Sequence, residues 1–233
     1  MLGALARRFA NLAFGGSCLL CRGAAGGLLC AACDADLPRL VGPLCPRCAL
    51  ASPAGEVCGR CLAQPPAYDA TVAALAYEFP ADVLVQALKF RGELALAPLL
   101  GAQLAARLAP GGRVDCVLPV PLSRARLRSR GFNQALEIAR HVAAAAGARL
   151  EPLLAARSRD TASQTDLPHA ERSKNVRGAF RCDRALDGAD VALVDDVMTT
   201  GATLDELAAT LKRAGAGRVV NWVVARTPAP ADA

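Results

Sequence analysis

Two adjacent carboxylates, Asp195 and Asp196, stand between a run of apolar residues and a short stretch of small and hydroxylated ones, Thr199, Thr200, Gly201, Ala202 and Thr203. The pattern predicts a strand buried on both faces at 191–194, then a tight loop. A helix follows, with Leu204, Leu207, Ala208 and Leu211 on its apolar face and a stop at Gly215. Small residues let backbone N–H groups approach an anion, the start of a helix adds a favourable dipole, and threonine hydroxyls add donors. This is phosphate-binding chemistry. The carboxylates lie too near it to welcome a second anion, and they suit sugar hydroxyls or a metal-bound group. The bland alternative is an ordinary α/β strand with surface carboxylates.

A second constellation is made of cysteine. Eight of the ten cysteines form four C-x-x-C pairs: Cys18/Cys21, Cys30/Cys33, Cys45/Cys48 and Cys58/Cys61. One such pair can be redox-active, but four in close succession read as zinc knuckles, since the spacing turns two sulfurs onto one tetrahedral ion. The first two pairs are assigned to one Zn²⁺ and the last two to another, with an interleaved pairing and a disulfide framework as alternatives. Four thiolates per ion leave no open position, so both sites are structural. The segment has few large apolar residues, and metal binding is expected to supply its folding energy. It is either a contact module for nucleic acid or protein, or a lid on the next domain. Cys116 and Cys182 are read as small buried hydrophobes.

The third is basic. Arg124, Arg126, Arg128 and Arg130 fall in one seven-residue stretch, read as a strongly positive loop. It is either a solvated charge run or a contact for pyrophosphate or nucleic acid, whose oxygens match the guanidinium fork. Lys89, near the glycine that ends a helix, is either an ordinary C-terminal cation or a ligand contact. The polar stretch at 157–180 is too long for a plain connection and reads as a functional loop. His141 and His169 receive no role, and no aromatic cluster marks a purine or pyrimidine pocket.

Elements to position these residues alternate along the chain. Strands are expected at 71–77, 114–120, 150–155, 191–194 and 218–225. Helices are expected at 83–90, 94–108, 133–146 and from 204 onward. An alternating chain of this kind predicts a mostly parallel α/β sheet with ligands beyond the carboxyl ends of its strands. The linker 64–66 divides the chain into residues 1–66, an N-terminal helix and double zinc ribbon, and a main domain at 67–233. Leu2, Leu5, Phe9 and Leu12 share one face of that N-terminal helix.

Apolar residues make up 53% of the 233, ample for a core, while aromatics are only 4%. The formal charge of +6 hints at nucleic acid, but eight thiolates around two Zn²⁺ would reduce it to about +2. Neither a signal peptide nor a membrane-spanning helix is expected, as no long uncharged apolar run occurs.

The 191–203 block resembles the PRPP-binding motif of type I phosphoribosyltransferases (PRPP is phosphoribosyl pyrophosphate). The resemblance implies that Asp195 and Asp196 meet the ribose hydroxyls and residues 199–203 hold the 5′-phosphate. Other segments extend the likeness: Leu88-Lys89-Phe90-Arg91-Gly92, Val120-Pro121-Leu122-Ser123, Arg130-Gly131-Phe132-Asn133-Gln134 and Asn175-Val176-Arg177-Gly178-Ala179-Phe180. So do the cysteine knuckles and a loop with Arg157, Arg159, Thr161, Gln164, Leu167 and Arg172. Together they resemble the ComF family of phosphoribosyltransferase-like proteins. The implied fold is the type I phosphoribosyltransferase α/β sheet with helices on both faces, plus a small N-terminal zinc ribbon. The implied setting is the bacterial cytoplasm and, in competent species, the uptake or processing of transforming DNA.

The resemblance also implies a chemistry. Mg²⁺ would be chelated mainly by PRPP's own oxygens. Pro121, Leu122 and Ser123 would offer backbone donors to pyrophosphate, and Lys89, Arg124, Arg157, Arg159 and Arg172 are candidates to meet its charge. The competing reading is a non-catalytic adaptor that uses the ribbons and arginines to contact single-stranded DNA or DNA-processing proteins.

Overall fold

The computed structural model describes residues 16–108, 113–158 and 176–229. The expected N-terminal helix, Arg159, Arg172, His169 and most of the 157–180 loop lie outside those residues.

Apolar alternation builds the centre. Strand β8 (Asp190–Met198) points Val191 and Leu193 to one face and Ala192 and Val194 to the other, all fully buried. Its neighbour β9 (Arg218–Arg226) does the same with Val219 and Val223 against Val220, Trp222 and Val224. With β3 (Ala70–Ala76), β4 (Cys116–Pro119) and β5 (Arg149–Leu150) they form a five-stranded sheet in the order β3-β9-β8-β4-β5, every pair parallel. The expected parallel α/β sheet is present.

Helices α3 (Ala81–Arg91), α4 (Leu96–Ala105) and α6 (Gln134–Ala146) cover one face through Leu84, Leu88, Leu100, Leu104, Ile138 and Val142. Gly101 lets α4 approach α6 closely: a Cβ there would stand 2.8 Å from that of His141. Helix α7 (Ala202–Arg213) covers the other face through Leu204, Leu207, Ala208 and Leu211.

The cysteine-bearing segment holds a two-stranded hairpin, β1 (Gly16–Ser17) with β2 (Ala24–Ala25), and two short helices, α1 (Ala31–Ala35) and α2 (Gly59–Ala63). Contacts cross the 66/67 boundary. Cys45, Cys48 and Cys61 are buried in the same cluster as α7 and β8. Leu40 N–H donates to Ala74 and Ala76 N–H to Pro38, so residues 38–40 run beside β3 and cover an otherwise open sheet edge.

Two readings of local structure are corrected. The arginine stretch is helix α5 (Arg124–Arg130), not a loop. Ser123 Oγ accepts from Arg126 N–H at its start, and Gly131 closes its end. The strand expected at 150–155 is only β5; the chain turns and then pairs β6 (Ala156–Arg157) with β7 (Phe180–Arg181) in a separate antiparallel ladder.

Candidate functional site

Strand β8 runs through both carboxylates, so they lie inside the strand's last turns of pleat, not beyond it. Alternation sends them to opposite sides. Asp196 is 2% exposed, while Asp195 stays partly open to the pocket. Asp195 Oδ1 accepts from Asp196 N–H at 2.9 Å, and Asp196 Oδ1 accepts from Val197 N–H at 2.9 Å. The remaining Asp196 oxygen, Oδ2, makes no hydrogen bond of good geometry, and Lys89 Nζ faces it at 3.0 Å as an ion pair. Thus α3 sets Lys89 at the cavity, paired with Asp196.

The electrostatics follow. Burial pushes the Asp196 carboxyl up, but the Lys89 charge and hydrogen bonding outweigh it and hold the group below its ordinary 3.8. Burial, and then the charge of Asp196, push Asp195 up to about 8. The pair therefore keeps about one proton near neutral pH, as two adjacent carboxylates with one cation should.

After Met198 the chain turns through Thr199, Thr200 and Gly201 into α7. Gly201 has φ +87°, and a Cβ there would stand 2.8 Å from Met198 Cε and 3.0 Å from Tyr68 Oη. Only glycine fits that turn. Thr200 Oγ1 accepts from Ala202 N–H at 3.2 Å.

A cavity of about 200 Å³ opens over these groups. Of the expected residues, Lys89, Pro121, Leu122, Arg157, Asp195, Asp196, Thr199 and Thr203 line it. Thr200, Gly201 and Ala202 instead line a neighbouring cleft against Arg60, Cys61 and Tyr68. Ser123 is buried, its hydroxyl capping α5, and Arg124 faces a separate cleft with Arg157 and Arg181. Pro121 has no N–H, so backbone donation at this loop falls to Leu122 and Ser123.

Two arginines of the basic run, Arg126 and Arg130, also line it, and so do Tyr77, Phe90 and Gln134, to which the sequence assigns no site role of their own. The i,i+4 spacing on α5 puts Arg126 and Arg130 at the pocket and leaves Arg124 and Arg128 exposed. Arg130 stacks over Phe90 at 5.5 Å and donates to Gln134 Oε1. An aromatic pair, Tyr77 and Phe90, therefore reaches the pocket although no aromatic cluster exists in the sequence.

The sulfurs gather as the spacing predicts. Cys18, Cys21, Cys30 and Cys33 form one tetrad and Cys45, Cys48, Cys58 and Cys61 the other, the four sulfurs of each lying within 4.8 Å of one another. None is in a disulfide. Backbone N–H groups already point at sulfur, from Cys33 to Cys30 at 3.5 Å and from Cys58 to Cys45 at 3.3 Å. The donor set is that of closed structural Zn²⁺ sites. Cys116 is buried as expected, whereas Cys182 is only half-buried. No helix among the described residues is long and apolar enough to cross a membrane.

Comparison with known proteins agrees with this architecture. The double zinc ribbon domain family matches residues 9–62. DNA utilization protein YhgH of Salmonella typhi is 37% identical over 224 residues, spanning 91% of this chain and 97% of that protein. Competence protein F of Haemophilus influenzae is 29% identical over 159 residues, 64% of this chain and 69% of its own. Among solved structures, the glutamine PRPP amidotransferase of B. subtilis matches 55% of this chain and 26% of its own at 25% identity, with a TM-score of 0.39. A hypoxanthine phosphoribosyltransferase from Staphylococcus aureus matches 63% and 74% at 12% identity, with a TM-score of 0.33. Scores this low carry no argument, and the fold rests on the sheet itself. With a double zinc ribbon ahead of a parallel α/β sheet, the chain belongs to the family of the DNA utilization protein YhgH and competence protein F, the ComF family.

Proposed function

We propose that the pocket binds PRPP or a related ribose-phosphate together with Mg²⁺, and that the protein uses it in the handling of incoming DNA. One observation carries the reading: the carboxylate pair at the end of β8 and the two ends of the turn, Thr199 and Thr203, line one cavity together with four cations, Lys89, Arg126, Arg130 and Arg157. Carboxylates suit sugar hydroxyls, the turn and the α7 N-terminus suit the 5′-phosphate, and the cations suit pyrophosphate. Mg²⁺ chelated by the ligand would neutralise pyrophosphate charge and make it a better leaving group. This donor set fits it, since two carboxylates share the pocket with the basic groups.

In a transfer reaction the C1–O bond to pyrophosphate breaks with its electron pair leaving on oxygen, and an acceptor nucleophile bonds to C1. The chain's own part is to hold the ribose with Asp195 and Asp196 and to meet the growing pyrophosphate charge with Lys89, Arg126 and Arg130. No protein base is required for pyrophosphate departure. Calorimetric titration with PRPP and Mg²⁺, beside an Asp195→Asn/Asp196→Asn control, tests the reading. Magnesium-dependent binding absent from the control is expected; a folded, zinc-loaded protein that does not bind refutes it.

The adaptor reading has its own observation, the outward pair Arg124 and Arg128 on α5. Single-stranded DNA binding that weakens steeply with salt, and that falls when both are neutralised, would favour it.

A further inference from the structure

The turn at 198–201 and the second zinc knuckle share one buried side chain that ligand binding does not itself call for. Arg226, the last residue of β9, is 2% exposed. Its Nε donates to the carbonyl of Cys48 at 2.8 Å. Its Nη1 serves the carbonyls of Met198 at 2.9 Å, Thr227 at 2.8 Å, and Thr199. Cys48 belongs to the second tetrad, whereas Met198 and Thr199 lead into the turn. One planar guanidinium thus holds metal-site backbone and phosphate-site backbone in a fixed relation.

Charge points the same way. Among the described residues no carboxylate lies within ion-pair distance of Arg226. A buried cation without a countercharge is costly. Four thiolates around Zn²⁺ carry net negative charge, so the loaded tetrad supplies that countercharge. A second strut runs in parallel. Arg47, between two ligands of the tetrad, donates to the Tyr68 carbonyl at 3.0 Å, and the Tyr68 hydroxyl packs against Gly201. The first tetrad has a different setting: Leu19, Leu20, Leu28 and Leu29 beside it pack on the opposite face of the sheet, which makes it an internal control.

We propose that Arg226 is a positioning residue through which the second zinc site sets the shape of the phosphate-binding turn, so that metal in the second tetrad and an anion at the turn stabilise each other. The proposal rests on reading the turn as a phosphate site. Linkage makes the effect reciprocal: whatever factor the metal adds to anion affinity, the anion adds to metal affinity.

The test uses the full chain with both sites loaded with zinc, as wild type, Arg226→Met and Arg226→Lys. Zinc release to a chelator is followed with and without ribose 5-phosphate, and amide exchange at 199–203 is followed without any ligand. In wild type the ligand should slow release of one zinc about 10-fold and leave the other unchanged, within the usual range of allosteric coupling. In Arg226→Met, still holding both zincs, that protection should fall below about 2-fold and exchange at the turn should rise about 10-fold. Arg226→Lys keeps the charge but not the fork, so it should hold its zinc and show intermediate exchange. Should Arg226→Met fail to fold, Arg226→Lys carries the test, and wild-type exchange from it overturns the proposal. A zinc-loaded Arg226→Met with wild-type exchange and wild-type protection also overturns the link and leaves the phosphate reading standing. Ribose 5-phosphate that binds neither wild type nor variant overturns the phosphate reading instead, and the ligand-free exchange then decides the link alone.

Discussion

Replacing Lys89 by methionine keeps the unbranched stem and removes the ammonium that faces Asp196 at 3.0 Å. An exposed ion pair contributes ~0–1 kcal/mol, whereas breaking a buried one costs ~3–5 kcal/mol. The Asp196 side chain is 3% exposed and the Lys89 side chain 27%, between those limits, so a cost of about 2 kcal/mol is expected at pH 8. For a chain of this length that lowers Tm by about 4–8 °C. The pH dependence carries the sign. Lys89 holds the folded carboxyl of Asp196 below its ordinary 3.8, so the pair's stabilisation is present above that value and is lost as pH falls through the lower folded one. Without Lys89, burial and Asp195 push Asp196 upward. The variant's pair then sheds its charge in mildly acidic solution and suffers most in alkaline. Urea unfolding of wild type, Lys89→Met, Asp196→Asn and the double variant at pH 5.5 and pH 8 closes a double-mutant cycle. A coupling below about 0.3 kcal/mol at pH 8, or a larger loss at pH 5.5 than at pH 8, would refute the reasoning.

Three further outcomes are expected. Gly201→Ala places a Cβ at φ +87° against Met198 and Tyr68, and should cost about 1–3 kcal/mol in urea unfolding while abolishing PRPP binding; unchanged binding would contradict the assigned turn. Asp195 is pushed up to about 8, so its folded form loses stability as pH rises from the ordinary 3.8 toward that value. If binding of magnesium and PRPP requires the ionised pair, roughly one proton should be released at pH 7, read by calorimetry in two buffers of different ionisation enthalpy; heats independent of buffer would exclude it. Arg126→Ala and Arg130→Ala should each weaken PRPP binding about 10-fold, the loss of one charge-assisted hydrogen bond, whereas Arg128→Ala should leave it intact; equal effects would mean that α5 does not divide its arginines between pocket and solvent.

What the sequence made legible was local. The carboxylates, the turn and each cysteine pair are defined by neighbours within a few residues, so spacing alone pointed to their chemistry, and the tetrads formed as assigned. Helix α5 reads as a loop in the sequence because none of its residues is buried, leaving no apolar period to mark a helix among arginines. Its caps, Ser123 and Gly131, were the available signal. The β6–β7 ladder joins residues on either side of a long connection, and two-residue strands have no pattern of their own.

The most consequential contacts were illegible for a deeper reason. Lys89 can be a helix-end cation or a ligand contact until the fold sets it 3.0 Å from Asp196, and Arg226, one residue past the expected strand, has no pattern of its own until β9 pairs with β8 in a register that sets Met198 opposite it. Packing also shows where the cysteine segment meets the sheet. Small apolar residues leave the α7 face of the sheet under-filled by α7 alone, and the second tetrad completes that layer with Cys45, Cys48 and Cys61. A tetrad in the same buried cluster as Met198 and Leu204, which flank the turn, is where the proposed coupling would have to run, because packed interiors shift between discrete arrangements and do not deform smoothly. The second half of the cysteine segment therefore packs as part of the sheet's core, and Cys61 lines the cleft beside the turn.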